Sequence, residues 1–97
     1  MNAPVLARIH AVIDGRVQGV GFRFFAQDAA NDLGITGWVR NRFDGQVEVT
    51  AEGERARLEG FLEQLRRGPR GAYVTQLDVE WETARGEFVQ FDVRRSI

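Results

Sequence analysis

The sequence has no cysteine and no lysine, one histidine and two prolines. The first absence removes disulfides, thiolate metal sites and every cysteine nucleophile, and leaves the redox compartment open. The second removes a Schiff-base lysine and the lysine of a P-loop; all 13 basic side chains are arginine. No run is long and apolar enough for a membrane helix. Met1 to Leu6 lacks the basic-then-apolar pattern of a signal peptide, so a cytoplasmic protein is expected. A dominant charge sign is also missing. The formal net charge of -1 argues weakly against a protein that lives by neutralising nucleic-acid phosphates. With 43% hydrophobic and 28% charged residues, the chain reads as globular and not disordered. Its 97 residues fit one domain, 1–97, whose elements must share one core.

What is present is periodic. Ala7, Ile9, Ala11 and Ile13 alternate with Arg8, His10, Val12 and Asp14, which predicts a strand with one covered face. A glycine-rich loop, Gly15 to Gly21, follows. From Phe22 the period lengthens: Phe22, Phe25, Ala26, Ala29 and Leu33 fall on one face of a helix, and Gly34 supplies its stop. Ile35 to Asn41 reads as a second strand. Asp44-Gly45 is a hairpin signal, and Gln46 to Glu52 alternates with Val47, Val49 and Ala51 inward. Leu58, Phe61, Leu62 and Leu65 mark a second helix that stops at Gly68-Pro69. Leu77, Val79 and Trp81 mark a fourth strand, Arg85-Gly86 a turn, and Phe91 and Val93 a last short strand. Strand, helix, strand, strand, helix, strand, with an extra C-terminal strand, is the ferredoxin-like (βαββαβ) sandwich. It is an α+β fold with an antiparallel sheet, two helices on one face and the other face wet. That architecture hosts many functions and decides none.

The segment Asp14-Gly15-Arg16-Val17-Gln18-Gly19-Val20-Gly21-Phe22-Arg23 lies between a strand and a helix. Glycines at 15, 19 and 21 let the backbone curl with its N–H groups inward, as an anion nest. The helix start adds unpaired N–H groups and the positive dipole end, and together they suit a phosphate or carboxylate. Arg23 in the first helical turn is opposed by the dipole unless it shares an anion with the loop, and its planar fork fits two phosphate oxygens. The loop pattern alone slightly favours the plainer alternative, an ordinary loop beside a solvated arginine. The segment lacks the Lys-Ser/Thr pair of a P-loop and the spacing of a dinucleotide fingerprint. Asn41 ends the second strand with its side chain, by parity, on the helix-covered face, where it and Arg23 could converge. Its amide can donate and accept, which suits holding a water, although Asn is also common at turns. His10 has no partner placed by any motif and reads as a solvated strand residue. Trp38 and Trp81 read as packing residues. Glu52, Glu54, Glu59 and Glu63 read as solvated surface, with no metal-ligand spacing among them.

These residues match a family. Gly15-Arg16-Val17-Gln18-Gly19-Val20-Gly21-Phe22-Arg23 resembles the first acylphosphatase signature. Gly37-Trp38-Val39-Arg40-Asn41, followed by Gly45, Val47 and Gly53, resembles the second. Gly68-Pro69 with Ala72 and Val74 is similar to the family's segment before the fourth strand. Arg70 stands where the family often has a second proline, a departure that bears on loop stiffness and not on chemistry. The resemblance covers nearly the whole chain. It implies a metal-free and cofactor-free hydrolase of acyl phosphates, with Arg23 and Asn41 catalytic. The stretch Gly15, Arg16, Val17, Gln18, Gly19, Val20, Gly21, Phe22 and Arg23 would bind the substrate phosphate. Arg23 would take the family's phosphate-binding role and Asn41 its water-orienting role. The products would be a carboxylate and inorganic phosphate; the expected protein is a monomer with no nucleic-acid or membrane partner.

The inventory agrees with that chemistry. A carboxylate is a weakly basic leaving group and needs no general acid, so the enzyme's tasks are to hold the phosphoryl group, spread its charge and aim a water in line. With no side-chain base in view, a phosphate oxygen is expected to take the water's proton. Three alternatives stand beside this reading. An RNA-binding module shares the element order but needs exposed aromatics on its central strands, which the first and third strands lack. A non-catalytic anion- or ligand-sensing domain of the same fold is the second. The third is the N-terminal domain of a larger carbamoyl-transferring maturation enzyme, against which the short chain argues.

Overall fold

The computed structural model describes residues 5–97; residues 1–4, and with them most of the stretch read as lacking a signal peptide, lie outside the described residues. The elements follow in the predicted order: β1 (Leu6–Arg16), α1 (Phe22–Asp32), β2 (Thr36–Asn41), β3 (Val47–Glu54), α2 (Arg55–Arg67), β4 (Tyr73–Thr83) and β5 (Phe91–Val93). They form one sheet in the order β4-β1-β3-β2-β5. β1 is antiparallel to both β3 and β4, and β2 is antiparallel to β3. β1 and β2 therefore run parallel with β3 between them, joined through α1. β3 and β4 run parallel around β1, joined through α2. Two interleaved split βαβ units make the ferredoxin-like sandwich.

The fifth strand departs from the all-antiparallel expectation, because β5 lies parallel to β2. The cause is where the chain enters. β4 ends at Thr83 beside Ala7, at the end of the sheet where β2 begins. The chain crosses that end to the far edge and can then only run along β2 in β2's own direction.

Both helices cover one face. Phe22, Ala26, Ala29 and Ala30 of α1 and Leu58, Phe61, Leu62 and Leu65 of α2 are buried. Beneath them Ile9, Ala11, Ile13, Val39, Val47, Val49 and Ala51 are all 0% exposed. That is the inward parity read from the alternation. Each large side chain buried there contributes about 2 kcal/mol from lost apolar surface.

The opposite face is not the wet surface expected. Arg8, Glu48, Thr50 and Glu52 are buried on it. Arg8 and Glu52 are direct cross-strand partners, joined at 2.9 Å, and Arg8 also holds Glu87 at 3.2 Å. Glu48 accepts from His10 at 2.7 Å and from Arg40 at 2.8 Å. His10 is thus engaged and only partly exposed, and Glu52 is no solvated acid. The guanidinium groups of Arg40 and Arg94 both lie over the Trp38 ring, at 4.6 and 5.0 Å. Opposed charges on neighbouring strands can share burial that neither could sustain alone. Glu52 also accepts the N–H groups of Arg85 and Gly86, each at 2.9 Å, and so pegs the segment that crosses from β4 to β5.

These contacts tie stability to pH. Burial pushes the Glu52 carboxyl up, but the Arg85 N–H, the Arg8 guanidinium and the Gly86 N–H together hold it below its ordinary 4.5. Burial likewise raises Glu48, and the His10 and Arg40 contacts outweigh it to leave Glu48 lowered. A carboxylate depressed in the fold contributes stability above its unfolded pKa and loses it as pH falls through the folded value. Denaturant melts should therefore show stability dropping as pH falls below about 4.5. Glu52→Gln should flatten that drop and cost about 2–3 kcal/mol at pH 7, where Arg8 loses its buried carboxylate partner and keeps the more exposed Glu87. An unchanged acid slope in Glu52→Gln would remove Glu52 from this account.

Candidate active site

Because β1 and β2 run parallel, their carboxyl ends share one end of the sheet. The register there sets Ile13, Val47 and Asn41 in one row across β1, β3 and β2. Ile13 and Val47 are fully buried beneath the helices, so Asn41 belongs to the helix-covered face, as parity predicts. Two strand spacings separate it from Ile13, about 10 Å. The chain leaving β1 turns through Val17–Gly21 into α1, which packs on β2 and β5. Running back along the sheet, α1 has its N-terminus at the Asn41 end.

The turn between β1 and α1 is anchored at both ends, with Val17 and Phe22 1% and 2% exposed. Between these anchors Gly19 and Gly21 sit at φ 75°. Gly21 is the N-cap of α1 in the left-handed conformation, with no side-chain cap and no acidic residue in the first turn. A Ser, Thr or Asp cap would exceed glycine by only about a few tenths of a kcal/mol, and the left-handed φ at Gly21 favours glycine. Among the described residues, the N–H groups from Gln18 to Phe24 find no acceptor. A run of free amides at the positive end of a helix dipole is the kind of backbone arrangement that can cradle an anion.

Arg23 stands in the first turn beside these donors. It is half-buried and, among the described residues, carries no ion pair. Arg8, Arg40, Arg42, Arg55, Arg57 and Arg66 each hold a carboxylate. Asn41 is half-buried too, and its side-chain amide has no partner among the described residues. Its backbone carbonyl accepts the Ile97 N–H at 3.1 Å. The loop amides, Arg23 and Asn41 thus gather at one end and one face of the sheet.

Two of the expected loop residues lie outside the curl. Gly15 and Arg16 remain in β1, paired with Val74 and Tyr73 past a bulge at Asp14/Gly15. β4 begins early enough to offer them partners, though its polar start gave no alternation by which to see it. Glycine is required at 15 by β4, since a Cβ there would collide with the Tyr73 carbonyl. The Gln18 side chain is engaged with the hairpin. Its Nε2 donates to the carbonyls of Arg42 at 2.7 Å and Gln46 at 2.9 Å, in the β2–β3 hairpin. That link carries no periodic signal and was invisible in the sequence. His10 lies on the opposite face, away from the cradle.

The acylphosphatase family model matches residues 9–93. The chain belongs to the acylphosphatase family. It is 47% identical over 92 residues to the acylphosphatase of Methylococcus capsulatus, a match covering 95% of this chain and 100% of that one. The crystal structure of acylphosphatase from Bacillus subtilis superposes with a TM-score of 0.88 at 38% identity, covering 91% of this chain and 98% of the other. An acylphosphatase from Coxiella burnetii matches with a TM-score of 0.88 at 36% identity, over 97% and 100% of the two chains. The sheet's other face is charged. On that face the central strands β1 and β3 present Arg8, His10, Glu48, Thr50 and Glu52, without an aromatic platform for RNA bases.

Proposed function

We propose that this acylphosphatase hydrolyses acyl phosphates with its own residues alone: the amides of the Val17–Gly21 turn and of the start of α1, with Arg23, bind the phosphoryl group, and Asn41 orients the attacking water. The observation that carries the reading is the uncapped, acid-free helix start with an unpaired arginine in its first turn. A positive side chain there is unfavourable beside the dipole and becomes favourable once a dianionic phosphoryl group lies between them.

In the step itself the water oxygen forms a bond to phosphorus as the bond from phosphorus to the carboxylate oxygen breaks. The carboxylate leaves unprotonated, and a phosphate oxygen takes the water's proton. The side chains of Val17 and Phe22 are core residues, and Gln18 is engaged with the hairpin, so from these positions only backbone N–H groups serve the phosphate. Gly15 and Arg16 hold the loop's base in the sheet. Charge is spread over donors that already point where it develops, which is where electrostatic catalysis gains most.

The reading needs no metal and takes the protein as a cytoplasmic monomer. Among the described residues no three metal-ligating side chains gather. Turnover of a model acyl phosphate such as acetyl phosphate should proceed unchanged in EDTA. Anion binding without turnover would favour a sensing domain instead. A large loss in EDTA, restored by a divalent cation, would overturn the metal-free mechanism.

A further inference from the structure

The side-chain amide of Gln18 uses both of its protons on one hairpin. It donates to the carbonyl of Arg42, the residue after Asn41, and to that of Gln46, the residue before Asn41's register partner Val47. Those two hairpin residues are themselves joined, the Arg42 N–H donating to the Gln46 carbonyl at 2.8 Å. Gln46 in turn donates from Nε2 to Asp14 Oδ1 at 2.8 Å, back on β1. A chain of hydrogen bonds therefore runs from the end of β1 through the hairpin to the anion-binding turn. Phe43, Asp44 and Gly45 at the hairpin tip are all exposed. On this side the base of that hairpin is held to the turn by Gln18.

We infer that Gln18 is a positioning residue that acts through Asn41. It fixes the spacing between the group that holds the phosphoryl and the group that aims the water. The inference rests on the roles given above to the turn and to Asn41. Its physical basis is the separation of the two: Asn41 and the end of β1 lie on strands parted by β3. In-line attack tolerates little error in their spacing, since a misplacement of about 1 Å can cost a hundredfold in rate. A side chain that touches neither phosphate nor water can thus control the rate, and the effect should appear in kcat and not in phosphate affinity.

The test uses the full chain and a double-mutant cycle. Gln18→Met keeps the length and removes both donors. It should lower kcat on acetyl phosphate by about tenfold while leaving the affinity for inorganic phosphate within about twofold of the parent. Gln18→Lys restores donors to the two carbonyls and should recover most of the lost kcat. In an Asn41→Ala background, Gln18→Met should cost less than about twofold, because residues that act through one another are not additive. The Arg42 amide should exchange its hydrogen faster in Gln18→Met, whatever the activity. Should Gln18→Met fail to fold, Gln18→Asn, one methylene too short to reach both carbonyls, serves in its place. An equal loss in the Asn41→Ala background, a parallel loss of phosphate affinity, or an unchanged kcat each overturns the inference and leaves the proposed function standing. An inactive parent, or full kcat in Asn41→Ala alone, overturns the roles given to the site and this inference with them.

Discussion

Arg23→Ala is expected to lose turnover and anion binding together, with kcat/KM down by roughly a thousandfold or more. Arg23 is half-buried beside the turn amides and, among the described residues, is held by no carboxylate. Its charge is therefore not spent inside the protein. Its guanidinium offers two parallel N–H groups to two oxygens, a geometry that adds direction to charge. The phosphoryl group is held both in the ground state and as charge shifts during the reaction, so KM and kcat should both suffer. Inorganic phosphate, competitive against substrate in the parent, should cease to inhibit. Arg23→Lys should recover only part of the loss, since an ammonium keeps the charge without the fork. The fold should respond in the opposite sense. Removing a positive charge from the first turn of α1 relieves repulsion from the dipole, and alanine favours the helix. Arg23→Ala should be at least as stable as the parent, by about 0.5 kcal/mol. An active Arg23→Ala, or one that still binds phosphate like the parent, would remove Arg23 from the site.

That opposition of stability and function was already present in the sequence. The arginine follows a glycine turn where a cap or an acid would be the better choice for the helix, and a local rule broken without local compensation points to a site. Asn41 was placed by parity alone, because a strand that buries Val39 must turn residue 41 to the same face. The alternations around Ile9 and Val49 gave the inner face of the sheet for the same reason. What escaped the sequence was whatever depends on which strands meet. Arg8 and Glu52 look like two solvated charges until β1 and β3 pair, when they become direct neighbours and can be buried together. The direction of β5 depends on the end of the sheet at which the chain arrives, and three residues, Phe91–Val93, carry no trace of it. Gly15 looked like part of the curl because its real constraint, the close Tyr73 carbonyl, comes from a strand nearly sixty residues later. The reach of Gln18 is of the same kind. A side-chain bridge between a turn and a distant hairpin leaves no periodicity, and the residue stood out only as a neighbour of glycines.

Asn41→Ala is expected to lower kcat by roughly a hundredfold or more and to leave phosphate affinity near that of the parent. If Asn41 orients the water, it touches the nucleophile and not the bound phosphoryl group. Its contribution is then largest when the water lies in line with the departing carboxylate oxygen, which is a transition-state interaction. Removing the amide should leave the cradle of turn N–H groups and Arg23 intact. The strand should survive as well. Asn41 is held through its backbone, by the register with Val47 and by the Ile97 N–H on its carbonyl, and neither bond involves the side chain. A thermal melt of Asn41→Ala should therefore stay within a few degrees of the parent, about what a change of under 1 kcal/mol produces. Asn41→Asp gives the complementary result. It has the same size, but its carboxylate replaces an N–H donor and repels the anion, so it should lose phosphate affinity as well as rate. The deciding measurements are kcat on acetyl phosphate and phosphate affinity by titration, made on both variants and on Arg23→Ala. If Asn41→Ala keeps full kcat, or loses phosphate affinity as badly as Arg23→Ala, Asn41 does not orient the water.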